Sequence, residues 1–191
     1  MRLPKTACAA AATISALLAA LLAAAPSASA AGAEDPGSKP AEAIEIVTIS
    51  GVKVDKEASA ETRRIIRADL GAAAAAANVC GTGYNISTGA WREGTYGTTY
   101  TWTNGRTTGS SYYDKPICGV FFNDTGATRY MGVRLSSNYT SDASKQDFGR
   151  YSTYAGPVYQ NRGYCGTVYS YMKDSNGRVV VDRVHTVGSC N

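Results

Sequence analysis

The chain has 191 residues and a formal net charge of +4, from 19 lysines and arginines against 15 aspartates and glutamates. A single histidine and five cysteines argue against a catalytic metal centre. The 13 tyrosines, two tryptophans and three phenylalanines all fall after Cys80, and large aromatic side chains dominate core energetics, so a packed module is expected over residues 80–191.

In chain order, Arg2 and Lys5, the apolar run from Ala9 to Ala25 and the small residues Ala28, Ser29 and Ala30 have the layout of a secretory signal peptide over residues 1–30, which would carry Cys8 away with it. Residues 31–79 read as a linker or a removable pro-segment with a short helix. Ala31 to Ala43, with Pro36 and Pro40, has linker composition. Ile44 to Val54 reads as a strand interrupted at Gly51. Asp55 is expected to cap a helix from Lys56 to Leu70 that Gly71 stops. The six alanines Ala72 to Ala77 read as a tether.

The module over residues 80–191 carries Cys80, Cys118, Cys165 and Cys190, an even set without metal spacing, which in an exported chain implies two disulfides. Three pairings are open. Cys80 with Cys118 and Cys165 with Cys190 is favoured, because each pair brackets one half of the module. Thr98 to Trp102 is a β-rich run ended by the turn dipeptide Asn104-Gly105. Ile117 to Phe122 and Thr128 to Leu135 are further strands, Ser136 to Gly149 reads as a long polar loop, and Tyr164 to Met172 with Arg178 to Val187 form a hairpin about Asp174 to Gly177. The expected fold is all-β, a small antiparallel β-barrel or sandwich with two disulfides, preceded by a signal peptide and a partly helical N-terminal segment.

Charge divides at the same boundary. Residues 31–79 carry six basic and eight acidic side chains, and residues 80–191 carry eleven and seven. The arginines of the module are scattered rather than clustered, so no nucleic-acid partner is expected; weak attraction to anionic cell-wall polymers is compatible with the net charge. No membrane association is expected once the signal is removed, and no cofactor.

Tyr151 to Tyr159, with Tyr154-Ala155-Gly156-Pro157-Val158 at its centre, together with Gly163-Tyr164-Cys165, Gly188-Ser189-Cys190 and the opening Cys80-Gly81-Thr82-Gly83-Tyr84, resembles the spore-associated protein A-like family of secreted actinobacterial proteins. The spacing departs from that family where Arg106 to Lys115 intervenes before Cys118, and Ser189 stands where the family often has histidine. The resemblance implies a secreted, non-enzymatic protein of the spore or cell surface, and it carries over no catalytic residues.

From the residues alone, Pro157 and Gly156 predict a kinked strand entry. Tyr151, Tyr154 and Tyr159, joined by Tyr100 and Trp102, are the candidate contact surface. A carbohydrate-binding module is the competing reading, with Tyr96, Tyr100, Trp102, Tyr112 and Tyr113 as stacking rings. A protease inhibitor with Gly105 to Pro116 as bait loop is another. A small ribonuclease-like hydrolase would use His185, Glu93 and Arg183, although His185 reads more simply as a strand-end histidine. No Gly-x-Ser-x-Gly elbow occurs in the module.

Overall fold

The computed structural model describes residues 43–188. The expected signal peptide, the linker before Ala43 and Cys190 lie outside the described residues.

Among the described residues the elements run β1 (Ile46–Ile49), β2 (Val52–Asp55), α1 (Ala60–Ala68), α2 (Leu70–Cys80), β3 (Ile86–Glu93), β4 (Gly97–Thr103), β5 (Ile117–Asn123), β6 (Arg129–Ser136), β7 (Lys145–Tyr151), β8 (Tyr154–Gln160), β9 (Thr167–Lys173) and β10 (Val179–Thr186). A first sheet has the order β1-β2-β3-β4-β5-β8 and a second the order β10-β9-β6-β7. Two open sheets make a sandwich; the barrel alternative is not formed. One pair also departs from the antiparallel expectation. β2 runs parallel to β3 through Lys53↔Ile86 and Val54↔Ser87, and a parallel pair needs a crossover, which α1 and α2 supply.

Strand alternation separates two cores. Facing the second sheet, the first contributes Ile117 and Phe121 to a cluster with Met131, Val133, Leu135, Val168 and Met172. Its opposite face sends Tyr100, Trp102 and Val120 into a cluster with Ile65, Ile66, Ala73 and Ala76 of the two helices. The first sheet is therefore covered on both sides, and every residue of β4 is buried.

This corrects the reading of the N-terminal segment. Ala72 to Ala77 is not a tether: it lies in α2, with Ala73 and Ala76 fully buried. Alanine is the strongest helix former, and its small side chain leaves room for the aromatic rings of the sheet. The helix cap also differs, since Ser59 rather than Asp55 accepts from Thr62 N at 3.0 Å. Asp55 is buried and accepts the hydroxyl of Tyr164 instead. Gly71 lies inside α2, which Asp69 caps through Ala72 N at 2.8 Å.

Further along, Asn104-Gly105 does not close a tight hairpin. Thr103 and Ile117 pair across a connection of residues 104–116, in which Asn104 Oδ1 accepts from Arg106 N. The polar stretch Ser136 to Gly149 holds β7 as well as a loop; its strand pairs with β6 from Arg129↔Tyr151 to Leu135↔Lys145. The last hairpin forms as expected, with Asp174 Oδ1 accepting from Asn176 N and Arg178 N. Cys80 and Cys118 are bridged, Cα to Cα 5.8 Å, tying the end of α2 to β5. Cys165 is not a free thiol, and its expected partner Cys190 falls outside the described residues.

Tyr164 and Lys115 stand at the seam between the N-terminal segment and the sandwich. Lys115 is fully buried with Nζ 3.3 Å from the centroid of the Tyr112 ring, and burial lowers its ammonium from 10.5 to about 8. Burial raises Tyr100 from 10.0 to about 12. The depressed Lys115 contributes stability that is lost as pH falls through about 8, whereas the raised Tyr100 contributes stability that is lost as pH rises from 10.0 through about 12. Denaturant unfolding across this range is expected to show stability rising from about pH 8 to about pH 10 and falling beyond, with Lys115→Met removing only the rise; a wild-type profile flat below pH 10 would contradict it. Ala76→Leu is expected to cost about 1–3 kcal/mol by overpacking α2 against the sheet, where a free tether would lose nothing in the same unfolding measurement.

Candidate functional site

The five candidate contact residues, which read as packing rings as readily as a surface, are dispersed. Tyr100 and Trp102 are each 1% exposed, beneath the helical layer. Tyr154 is half-buried against Phe122, ring centroids 5.4 Å apart. The Tyr151 hydroxyl donates to Asp147, and that bond raises its ionisation to about 12. Only Tyr159 is well exposed, at 41%, and its hydroxyl is committed to the carbonyl of Cys80 at 3.0 Å. Of the other proposed stacking rings, Tyr112 and Tyr113 pack edge to face at 5.3 Å beside Lys115, and Tyr96 stands apart at the β3–β4 turn.

The structure instead gathers rings on the outer face of the second sheet. Met131, Val133 and Leu135 of β6, with Val168, Ser170 and Met172 of β9, point inward, so their neighbours point outward. The register then sets the rows: Arg150 and Tyr130, with Lys173 just past the Met131↔Met172 pair; next Phe148, Gly132, Tyr171 and Asp182; next Gln146, Arg134, Tyr169 and Val184. Phe148 lies across Gly132, where a Cβ would meet the ring at 2.3 Å, so the absent side chain is what lets that ring rest on the sheet. The rings are contiguous: Phe148 is 6.3 Å from Tyr169 and 6.2 Å from Tyr171, Tyr169 is 6.3 Å from Tyr171, and Tyr130 meets Tyr171 edge-on at 6.4 Å.

Cations border these rings. The Arg134 guanidinium sits 4.6 Å from the Tyr169 centroid and Lys173 Nζ 5.8 Å from that of Tyr130, both within cation–π range. Burial, and then a hydrogen bond with Asp182, raise the ionisation of Tyr169. Together Tyr130, Arg134, Gln146, Phe148, Tyr169, Tyr171 and Lys173 line an open groove of about 490 Å³. Such a surface can stack planar or ring-shaped ligands and attract negative charge. The sequence held a signal for it that went unused, the every-second-residue spacing of Tyr130, Gly132 and Arg134 and of Tyr169, Tyr171 and Lys173.

The hydrolase candidates come together differently. His185 Nε2 lies 2.8 Å from Glu93 Oε1, and the imidazole stacks on Trp91 with centroids 4.8 Å apart. His185 is therefore more than a strand-end histidine. Thr99 Oγ1 donates to the same Glu93 oxygen at 3.1 Å and sits 2.6 Å from Ser170 Oγ; because a hydroxyl has one proton to give, Ser170 donates to Thr99. The chain of contacts joins β3 and β4 to β9 and β10 across the sandwich. Glu93 and Arg183 also line a pocket of about 290 Å³, yet acid and base are bonded to each other rather than separated by room for a reacting group. Among the described residues no group of three or more His, Cys, Asp or Glu could hold a metal ion.

Spore-associated protein A of Streptomyces coelicolor is 37% identical to this chain over 99 residues, which are 51% of the chain and 59% of that protein. The likeness noted in the sequence is thus found, and it spans less than two thirds of the curated relative. No protein-family model and no solved structure matches.

Glu93→Ala removes the shared acceptor and leaves Thr99 and His185 without it, so a loss of about 1–3 kcal/mol is expected in denaturant unfolding, with Glu93→Gln losing less. Equal losses for the two variants would show that packing, not the hydrogen bonds, carries this bridge.

Proposed function

We propose that this is a secreted, non-enzymatic protein associated with the spore or cell surface, which holds surface glycans against the outer face of β7, β6, β9 and β10. The observation that carries the reading is the contiguous cluster Tyr130, Phe148, Tyr169 and Tyr171, bordered by Arg134 and Lys173, on a sheet face that no other element covers among the described residues. Rings with an apolar face and a polar edge suit the alternating C–H and O–H surfaces of sugars. The name of the similar Streptomyces protein supports placing this one with spores.

Two competing readings are weaker on geometry. In the bait-loop proposal, Asp114, Lys115 and Pro116 are buried and Thr108 is bonded to the carbonyls of Asp114 and Asn161, which pins a loop that an inhibitor would present. In the ribonuclease-like proposal, Glu93 and His185 occupy each other, whereas general acid–base cleavage needs each within reach of substrate.

Pull-down on insoluble peptidoglycan, chitin and cellulose tests the reading. Retention on at least one is expected, and Phe148→Ala combined with Tyr171→Ala is expected to weaken it about fivefold to a hundredfold, with little change in melting temperature, from about 0.5–1.5 kcal/mol of stacking per ring. Retention that survives the double substitution, or none on any polymer, would count against it.

A further inference from the structure

We infer that the polymer taken by this face is an acidic polysaccharide whose carboxylates ride on the same sugar rings that stack; the inference rests on the glycan-binding reading above and narrows it. The groove divides its work between two sets of residues. Phe148 and Tyr171 carry no cation and form the bare aromatic surface, whereas Arg134 lies over Tyr169 and Lys173 lies towards Tyr130. Register puts Arg134 opposite Tyr169 and Arg150 opposite Tyr130, and Lys173 Nζ lies 5.8 Å from the Tyr130 centroid. The two bordering cations therefore stand at opposite ends of the ring cluster, four residues apart along β6, or about 13 Å at the usual strand rise. The carboxylate on this face is Asp182, which is engaged with Tyr169, so the three cations Arg134, Lys173 and Arg150 outweigh it.

Charge complementarity selects the ligand. A neutral polysaccharide would stack on Phe148 and Tyr171 but leave the guanidinium and ammonium without anions. A polyol-phosphate chain without sugar rings would satisfy the cations and leave the rings uncovered. Only a polymer with both features on each unit uses the whole groove, because the cations lie 4.6 and 5.8 Å from aromatic centroids. Guanidinium also matches a carboxylate through two parallel hydrogen bonds.

The test measures binding of the full chain to three soluble probes of matched length: polygalacturonate, dextran and inorganic polyphosphate. At about 0.1 M salt, where charges act over about 10 Å, polygalacturonate is expected to bind at least about tenfold more tightly than dextran or polyphosphate. The preference over dextran should disappear at about 1 M salt, where the screening length is about 3 Å, while the preference over polyphosphate, which has no ring to stack, should remain. Arg134→Gln with Lys173→Gln is expected to bring polygalacturonate down to the dextran level, and Phe148→Ala to weaken both sugar polymers. Dextran binding as tightly as polygalacturonate would overturn this inference and leave the glycan reading standing. Polyphosphate binding as tightly as polygalacturonate would overturn it in favour of charge alone. No binding to either sugar polymer, together with no retention on the insoluble glycans, would overturn both. The salt and polyphosphate comparisons use the unmodified chain, so they decide the matter even if a variant fails to fold.

Discussion

The parallel pairing of β2 with β3 is the constraint from which the arrangement of this molecule follows. Two strands running the same way cannot be joined by a turn, so the chain must leave the sheet after Asp55 and return at Ile86, and α1 and α2 occupy that path. They come to rest over Tyr100 and Trp102 and bury them. The Cys80–Cys118 bridge fastens the end of the path to β5, which is paired on both sides. With one sheet covered on both faces and the other on one, the contiguous cluster of rings lies on the uncovered face of the second sheet.

Much of the β framework could be read from the residues. The runs that became β4, β5 and β6 have strong β-formers, the hairpin of β9 and β10 has clear turn chemistry as well, and Cys80 with Cys118 was the pairing that bracketing favoured among three. What could not be read was long-range. α2 has no apolar periodicity, since six of its eleven residues are a run of alanines, so its buried face cannot be told from its exposed one until the sheet is placed beneath it. β7 hides in a polar stretch because it pairs on only one side, with β6, and only Phe148 and Tyr151 mark it.

The five candidate contact rings fall on different faces for the same reason. Alternation places Tyr100 and Trp102 together on one face of β4 as clearly as it places Tyr169 and Tyr171 together on β9. What separates a core pair from a surface pair is which face a distant segment covers, and that depends on the crossover. The pairing of Glu93 with His185, 92 positions apart, is likewise a product of sheet stacking that no local spacing announces. Its position between β3, β4, β9 and β10 makes it a polar pin through the sandwich, in which each partner satisfies the other.

Sidedness has one more consequence. If the ring-bearing sheet lies flat on a support, the opposite side of the protein turns outward, and that side is α1 with its exposed Glu61, Arg64 and Arg67. A molecule seated that way would present those mixed charges, with the short methyls of Ala74 and Ala75 beside them, to the surrounding water.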